Sequence, residues 1–365
     1  MAGSAAGGPA PFSAEDDRFM ARALELAAAV RRTAPPNPWV GCVVVAGGEV
    51  VGEGATAPPG GPHAEVNALA EAGPRGRGAT CYVTLEPCAH HGRTAPCAEA
   101  LVEAGVARVV TALVDPDPRV GGRGLERLRA GGVEVEVGLA AGAVGEQLAP
   151  YLKHRLTGRP FVVLKLAMTL DGRTAAPDGS SRWITGEAAR RDAHELRADS
   201  DAVLVGAGTV RADDPLLTVR ADPAGSDDGR QPDRRLPVRQ PLRVVLGRAP
   251  AAARVHPALE LSGELGGVLD ELGRREVLQL LVEGGAHVAH DLHAAGLVDR
   301  YVFYLAPALF AGDDARPAFA GPGAASIGAL WRGRLRGVTV LGTDLRVDLD
   351  PGESGGEHGG LGDRR

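Results

Sequence analysis

Apolar positions recur at helical spacing behind Ser13, a candidate N-cap, with Phe19, Ala23, Leu26 and Val30 on one face as far as Arg32. Thr33 to Pro38 breaks that pattern. Val40 to Val45 and Val50 to Gly54 are short apolar runs around Gly47-Gly48, which predicts a β-hairpin. Beyond the loop Ala57 to Pro62, Val66, Leu69 and Ala70 share one face, so His63 and Glu65 are expected at the start of a helix. Strands are predicted at Thr80 to Leu85, Arg108 to Val114 and Val133 to Val137, and helices at Ala98 to Ala104, Leu125 to Ala130 and Ala143 to Leu156. Thr157-Gly158-Arg159-Pro160 then punctuates the chain.

A second alternating series follows. Strands are expected at Phe161 to Ala167, Ala202 to Val205, Val244 to Leu246, Leu278 to Val282 and Tyr301 to Leu305, with helices at Glu187 to Leu196 and Ala286 to Ala295. Asp222 to Gln240 mixes Asp, Arg, Pro and Gly without periodicity and reads as an exposed loop. The alternation predicts an α/β protein of two domains, 13–157 and 158–350. The flanking stretches 1–12 and 351–365 have little to bury and are expected to be disordered tails.

A length of 365 residues with 44% hydrophobic content supports two cores. The net charge of −6 supplies no global basic field, so small substrates fit better than nucleic acid. No run approaches the roughly 20 apolar residues that span a bilayer, and no secretion signal is evident, so a cytoplasmic protein without a membrane partner is expected. Cys42, Cys81, Cys88 and Cys97 all lie in the first third of the chain, which points to metal binding or buried thiols rather than a disulfide framework. Of 40 basic Lys and Arg residues only Lys153 and Lys165 are lysine, which draws attention to Lys165 in the apolar run Val162 to Met168. A charge there is costly unless paired or functional.

The chemistry concentrates at His63-Ala64-Glu65, Pro87-Cys88 and Cys97. One imidazole and two thiolates form a three-ligand zinc set that leaves a fourth position for water. Cys97 is expected to open a helix whose dipole stabilises a thiolate, and Glu65 is placed to shuttle the proton of an activated water. The competing arrangement is a closed structural zinc site with His90 or His91 as fourth ligand, but such sites carry no adjacent spare carboxylate. Cys42 and Cys81 sit in β-rich runs and are expected to be small buried hydrophobes.

His-x-Glu with a later Pro-Cys and a third Cys resembles the cytidine deaminase superfamily. The usual spacing puts the two cysteines three apart, whereas here the eight residues Ala89 to Pro96 separate them. That insert, with Pro36-Asn37-Pro38-Trp39-Val40-Gly41, Pro62-His63-Ala64-Glu65-Val66 and Thr84-Leu85-Glu86-Pro87-Cys88, resembles the bifunctional deaminase-reductases of riboflavin biosynthesis. The resemblance extends through Thr169-Leu170-Asp171-Gly172-Arg173, Ser181 to Thr185, Val205 to Val210, Arg211 to Pro215 and Leu281 to Gly285.

The resemblance implies a cytidine-deaminase-like three-layer domain followed by a dihydrofolate-reductase-like domain. It implies zinc-dependent deamination of 2,5-diamino-6-ribosylamino-4(3H)-pyrimidinone 5′-phosphate, then NADPH-dependent reduction of the ribose of 5-amino-6-(5-phosphoribosylamino)uracil. Zinc is assigned to His63, Cys88 and Cys97, acid/base catalysis to Glu65, and deaminase substrate contacts to Asn37, His90 and Arg93. In the second domain Lys165 lies near the reacting end, and substrate falls to Ser181, Thr185, Arg197, Asp213, Leu217, Arg220 and Glu283. NADPH falls to Ala167, Trp183, Gly206, Gly208, Thr209, Gly284 and Gly285, where glycines let a phosphate approach backbone N–H groups at a helix start. A homo-oligomer is expected.

Gly247-Arg248 departs from the Asp-Ser common in relatives, and 248–276 is shorter than in many of them, so a degenerate reductase is one alternative. A zinc-stabilised scaffold without activity is another. His287, His290 and His293 share helical spacing and are expected to be surface or lining residues rather than metal ligands.

Overall fold

The structure, a computed structural model, describes residues 12–89, 96–219 and 239–352. His90, His91, Arg93 and Arg220, most of the loop expected at Asp222 to Gln240, and nearly all of both terminal stretches lie outside the described residues. The chain divides into two compact units, Met1–Pro160 with Gly273–Leu278, and Phe161–Leu272 with Gln279–Arg365.

The first unit contains helices α1 (Ala14–Ala29), α2 (Ala64–Ala72), α3 (Cys97–Ala104), α4 (Arg123–Ala130), α5 (Ala141–Gln147) and α6 (Ala149–Thr157). Strands β1 (Gly41–Ala46), β2 (Glu49–Ala55), β3 (Thr80–Val83), β4 (Arg108–Thr111) and β5 (Glu134–Val137) form one sheet in the order β2-β1-β3-β4-β5. The hairpin β1–β2 is antiparallel, and β3, β4 and β5 run parallel. A single helix expected over Ala143 to Leu156 is instead two helices joined at Leu148. Pro150, which lacks an N–H, occupies the first turn of α6, the position where a helix tolerates it.

Glycines in the hairpin fix the layers. Gly41 faces α1, where a Cβ would fall 1.9 Å from the Ala23 carbonyl oxygen. Gly52 and Gly54 face α2, where a Cβ would fall 2.2 Å from the Ala68 oxygen and 2.1 Å from the Ala64 oxygen. Gly54 pairs with Cys42 and Gly41 with Ala55, neighbouring positions that point to opposite faces of a pleated sheet. Helices therefore cover both faces, and the unit has three layers. The core between them includes Met20, Trp39, Leu101, Leu128 and Leu148.

Ser13 caps α1 in a capping box with Asp16. The buried Asp16 carboxylate also accepts from Tyr82 Oη and Arg108 Nη1, each at 2.7 Å. Burial opposes the charge, yet these donors hold Asp16 well below the usual carboxylate range.

In the second unit β6 (Phe161–Thr169), β7 (Arg173–Ala175), β8 (Ala202–Gly206), β9 (Leu242–Leu246), β10 (Leu259–Leu261), β11 (Gln279–Val282) and β12 (Arg300–Ala306) precede β13 (Arg316–Pro317), β14 (Gly333–Leu341) and β15 (Asp344–Pro351). The main sheet has the order β10-β9-β8-β11-β6-β12-β15-β14, and β7 pairs with β13 apart from it. From β10 to β12 neighbours are parallel, while β15 and β14 are antiparallel additions. The helices are α7 (Glu187–Ala198), α8 (Ala207–Asp213), α9 (Leu265–Arg274) and α10 (Ala286–Ala294). The sequence pattern predicts neither the β14–β15 hairpin nor α8, α9, β7, β10 and β13. In β14 exposed apolar and basic residues interleave with two glycines, so no buried face marks the strand. No described helix is long and apolar enough to cross a membrane.

Two outcomes follow for the first unit. Gly54→Ala should destabilise it by about 1–3 kcal/mol, because the added methyl overpacks α2 against β2. Calorimetry should show a lowered transition, and an unchanged one would contradict this packing. Asp16 is depressed in the folded state, so its contribution is present above the unfolded value of about 3.9 and is lost as pH falls below it. Asp16→Asn should therefore lower stability at neutral pH and flatten its decline below about pH 4 in denaturant titrations.

Candidate active site

His63 is the N-cap of α2 and makes no side-chain cap bond, so its imidazole is available to other partners. Nδ1 lies 3.2 Å from Cys97 Sγ and 3.6 Å from Cys88 Sγ. Cys88 follows β3 through a short turn, and Cys97 is the first residue of α3 with Pro96 as its N-cap. The Ala98 N–H donates to the Cys88 carbonyl at 3.1 Å, which ties the ligand turn to the helix start. The donor atoms of His63, Cys88 and Cys97 all lie within 4.8 Å of one another, the only such group among the described residues.

The α3 dipole was expected to favour a thiolate at Cys97, and the structure aims it at Cys88 instead. The Cys97 N–H points to Cys88 Sγ at 3.5 Å. A hydrogen bond from the Cys97 thiol, acting against burial and aided by His63 and the Cys97 N–H, brings Cys88 down to about 4. Cys97 is pushed up because it gives that hydrogen bond and because it is buried. Interaction with Cys88 also raises His63. One thiolate thus neighbours one thiol, and a divalent cation at the three donors would supply the charge that lets both ionise. Two thiolates and an imidazole are a donor set that zinc favours.

Glu65, in the first turn of α2, is 4% exposed. Burial pushes its carboxyl up to about 7, with the Cys88 charge adding and His63 and Cys97 opposing. A cavity of about 340 Å³ opens beside it, with Asn37, His63, Glu65 and Cys88 in its lining. The lining also carries Asp115, Asp117, Arg119, Tyr151 and Arg155, none of which the sequence pattern singled out. Their signal was Asp115-Pro116-Asp117-Pro118 just after β4. Parallel β3 and β4 deliver Cys88 and Asp115 to the same sheet edge, where open α/β sheets bind ligands. Cys42 and Cys81 are fully buried, as expected, with Sγ atoms 3.2 Å apart.

The second unit holds a larger cavity, about 720 Å³. Lys165, Ala167, Ser181, Trp183, Thr185 and Asp213 line it, as do Gly206, Gly208, Thr209, Glu283, Gly284 and Gly285. Lys165 does not run out to solvent: Nζ lies 3.7 Å from Glu283 Oε2 and 5.7 Å from the centre of the Tyr304 ring. Val282 pairs with Leu164, so Glu283 and Lys165 are the next neighbours on adjacent parallel strands. Burial opposes a Glu283 carboxylate, but Lys165 and Arg197 hold it below its ordinary range.

Arg197 and Leu217 were expected to touch substrate, yet neither lines this cavity. Arg197 donates to both Glu283 oxygens, at 2.8 and 3.0 Å, and to the Thr218 carbonyl at 2.9 Å. The guanidinium thus holds the Glu283 carboxylate on both oxygens. Leu217 is buried. The lining includes His287, in keeping with its expected surface or lining role, and also Arg190 and Arg316, which sequence spacing did not reveal. His290 and His293 engage Pro322 and Tyr301 separately and converge on no common point.

Two family models match the chain: the cytidine and deoxycytidylate deaminase zinc-binding region over residues 13–113, and the RibD C-terminal domain over 160–347. The riboflavin biosynthesis protein RibD of Escherichia coli is 42% identical over 92% of this chain and 99% of its own length. That of Mycobacterium tuberculosis is also 42% identical, over 91% and 96%. A structure of Acinetobacter baumannii RibD superposes with a TM-score of 0.85 at 39% identity, covering 93% of this chain and 99% of the other. The Thermotoga maritima diaminohydroxyphosphoribosylaminopyrimidine deaminase/5-amino-6-(5-phosphoribosylamino)uracil reductase gives 0.80 at 32% identity, covering 92% and 99%. With both matched regions in order and the likeness running through both units, the chain belongs to the RibD family of bifunctional deaminase-reductases of riboflavin biosynthesis.

Proposed function

We propose that residues 13–157 deaminate 2,5-diamino-6-ribosylamino-4(3H)-pyrimidinone 5′-phosphate and that residues 158–350 reduce the ribose of the product with NADPH. The observation that carries the first step is the convergence of His63, Cys88 and Cys97 beside the buried Glu65. His63, Cys88 and Cys97 would hold a zinc ion, which would supply the Lewis acidity that makes water a nucleophile near neutral pH. Glu65 takes the proton that this water gives up and returns it to the departing amino nitrogen, so that water and the amine become a carbonyl and ammonia. Asn37, with His90 and Arg93, contacts the substrate.

For the second step NADPH supplies the hydride. The residues assigned to it are Ala167, Trp183, Gly206, Gly208, Thr209, Gly284 and Gly285, all of which line the 720 Å³ cavity. Lys165 orients the reacting end of the ribose, and Glu283 binds sugar hydroxyls while Arg197 keeps its charge in place. Ser181, Thr185 and Asp213 complete the substrate side, with Arg220 and Leu217 assigned to the same substrate.

Zinc and pyrimidine phosphates are the ligands of a cytoplasmic enzyme in this reading, with no nucleic-acid partner. A homo-oligomer is supported by β14, which ends the eight-stranded sheet and exposes Leu335, Val338 and Val340. An apolar sheet edge of this kind favours pairing with another copy.

One coupled assay tests the enzyme: ammonia release and NADPH oxidation on the same zinc-quantified sample. Wild type should do both. Glu65→Gln should keep its zinc and NADPH oxidation with the deaminated intermediate, but lose ammonia release by about 10²-fold or more. Ammonia release unaffected by Glu65→Gln would remove Glu65 from its role. No NADPH oxidation by wild type would leave a deaminase with a degenerate reductase. Light scattering should give a mass above that of one chain, and Val340→Lys should lower it. A monomeric wild type would contradict the assembly.

A further inference from the structure

We propose that Glu86 is a positioning residue of the deaminase pocket. Its carboxylate ties the pocket segment 115–124 to the turn carrying Cys88 and thereby sets how tightly the pocket holds substrate. The inference rests on the deaminase reading of this site.

Glu86 is 4% exposed. Its Oε2 accepts from the Asp115 N–H at 3.1 Å and the Gly122 N–H at 3.0 Å, and its Oε1 accepts from the Gly124 N–H at 2.9 Å. These donors bracket the wall. Asp115 begins it just beyond β4, Gly122 is the N-cap of α4, and Gly124 lies in the first turn of that helix. Three peptide N–H groups converging on one carboxylate form an acceptor-donor match that an amide cannot reproduce, because a Gln side chain offers one oxygen and one NH₂. The second bond between wall and ligand turn is steric. A Cβ on Gly124 would lie 1.8 Å from the Pro87 carbonyl oxygen, so the wall backbone rests directly on the residue preceding Cys88.

The segment so held contributes Asp115, Asp117 and Arg119 to the cavity that Glu65 and Cys88 also line. Asp115 accepts from the Tyr151 hydroxyl at 3.0 Å, and Asp117 binds Arg119 at 2.7 Å. Glu86 also lines the cavity, but its oxygens are taken up by these backbone N–H groups, so it transmits geometry between 115–124 and the Cys88 turn without acting on the reacting atoms. An error at Glu86 displaces the substrate-contacting wall while leaving His63, Cys88 and Cys97 able to meet.

The test uses the full chain loaded with zinc, comparing wild type, Glu86→Gln and Gly124→Ala. Ammonia-release KM and kcat, zinc content, and NADPH oxidation with the deaminated intermediate are measured for each. Glu86→Gln should retain zinc, NADPH oxidation and kcat while KM rises about tenfold or more, the effect of leaving a buried N–H unsatisfied. Gly124→Ala should raise KM in the same way from the other side of the contact. An unchanged KM in Glu86→Gln overturns the proposal, and so does loss of zinc, which would make Glu86 part of the metal centre. If Glu86→Gln loses NADPH oxidation as well, Gly124→Ala decides, with an unchanged KM counting against the proposal. Loss of NADPH oxidation in both variants makes Glu86 a folding element and overturns it. Wild type that releases no ammonia removes the deaminase reading itself and this inference with it.

Discussion

Two thiols beside one imidazole at the start of α3 impose a charge constraint on the first unit. Left to protein groups alone, Cys88 takes the negative charge because the Cys97 thiol and N–H both point to it, and Cys97 keeps its proton because it gives that hydrogen bond and is buried. A dication resolves that asymmetry, which explains why soft donors are gathered where no basic side chain is needed to balance them. The elements around them are arranged to hold three short loops at one sheet edge. Strand glycines bring α2 onto β2 so that His63 caps the helix at the right height, and parallel β3 and β4 release Cys88 and Asp115 together.

The second unit handles buried charge by another route. Glu283 is enclosed yet ionised, because Arg197 grips both of its oxygens and Lys165 stands beside it on the adjacent strand. Breaking one partner of such a set is costly, since it leaves a buried charge uncompensated. This accounts for a lysine in an otherwise apolar strand of a chain that has only two. Arg197, assigned to substrate by resemblance, also supports that carboxylate. The two units thus place a carboxylate in each main cavity, Glu65 beside the metal-donor group and Glu283 beside cations.

Much of this was legible in the chain. The hairpin at Gly47-Gly48, the helix start at His63 and the strand entering Pro87-Cys88 follow from hydrophobic period and turn chemistry, which are local. The His-x-Glu spacing and the eight residues between Cys88 and Cys97 carried the chemistry. Other features were not legible because their cause is not local. The 143–156 helix divides at Leu148 because Pro150 starts a new first turn. The β14–β15 hairpin was not legible because β14 shows no buried face: it lies at the sheet edge with both faces largely exposed.

Sequence alone therefore determined the donor types, the carboxylate two residues from the histidine, the order of the two domains and the isolated lysine at 165. These are properties of residue identity and spacing, and the chain carries them whatever its path. Tertiary structure decided which cysteine the α3 dipole serves, which arginine holds Glu283, and that Asp115, Tyr151 and Glu65 line one cavity. Those outcomes depend on distances between residues far apart in the chain, and only packing of the strands and helices sets them.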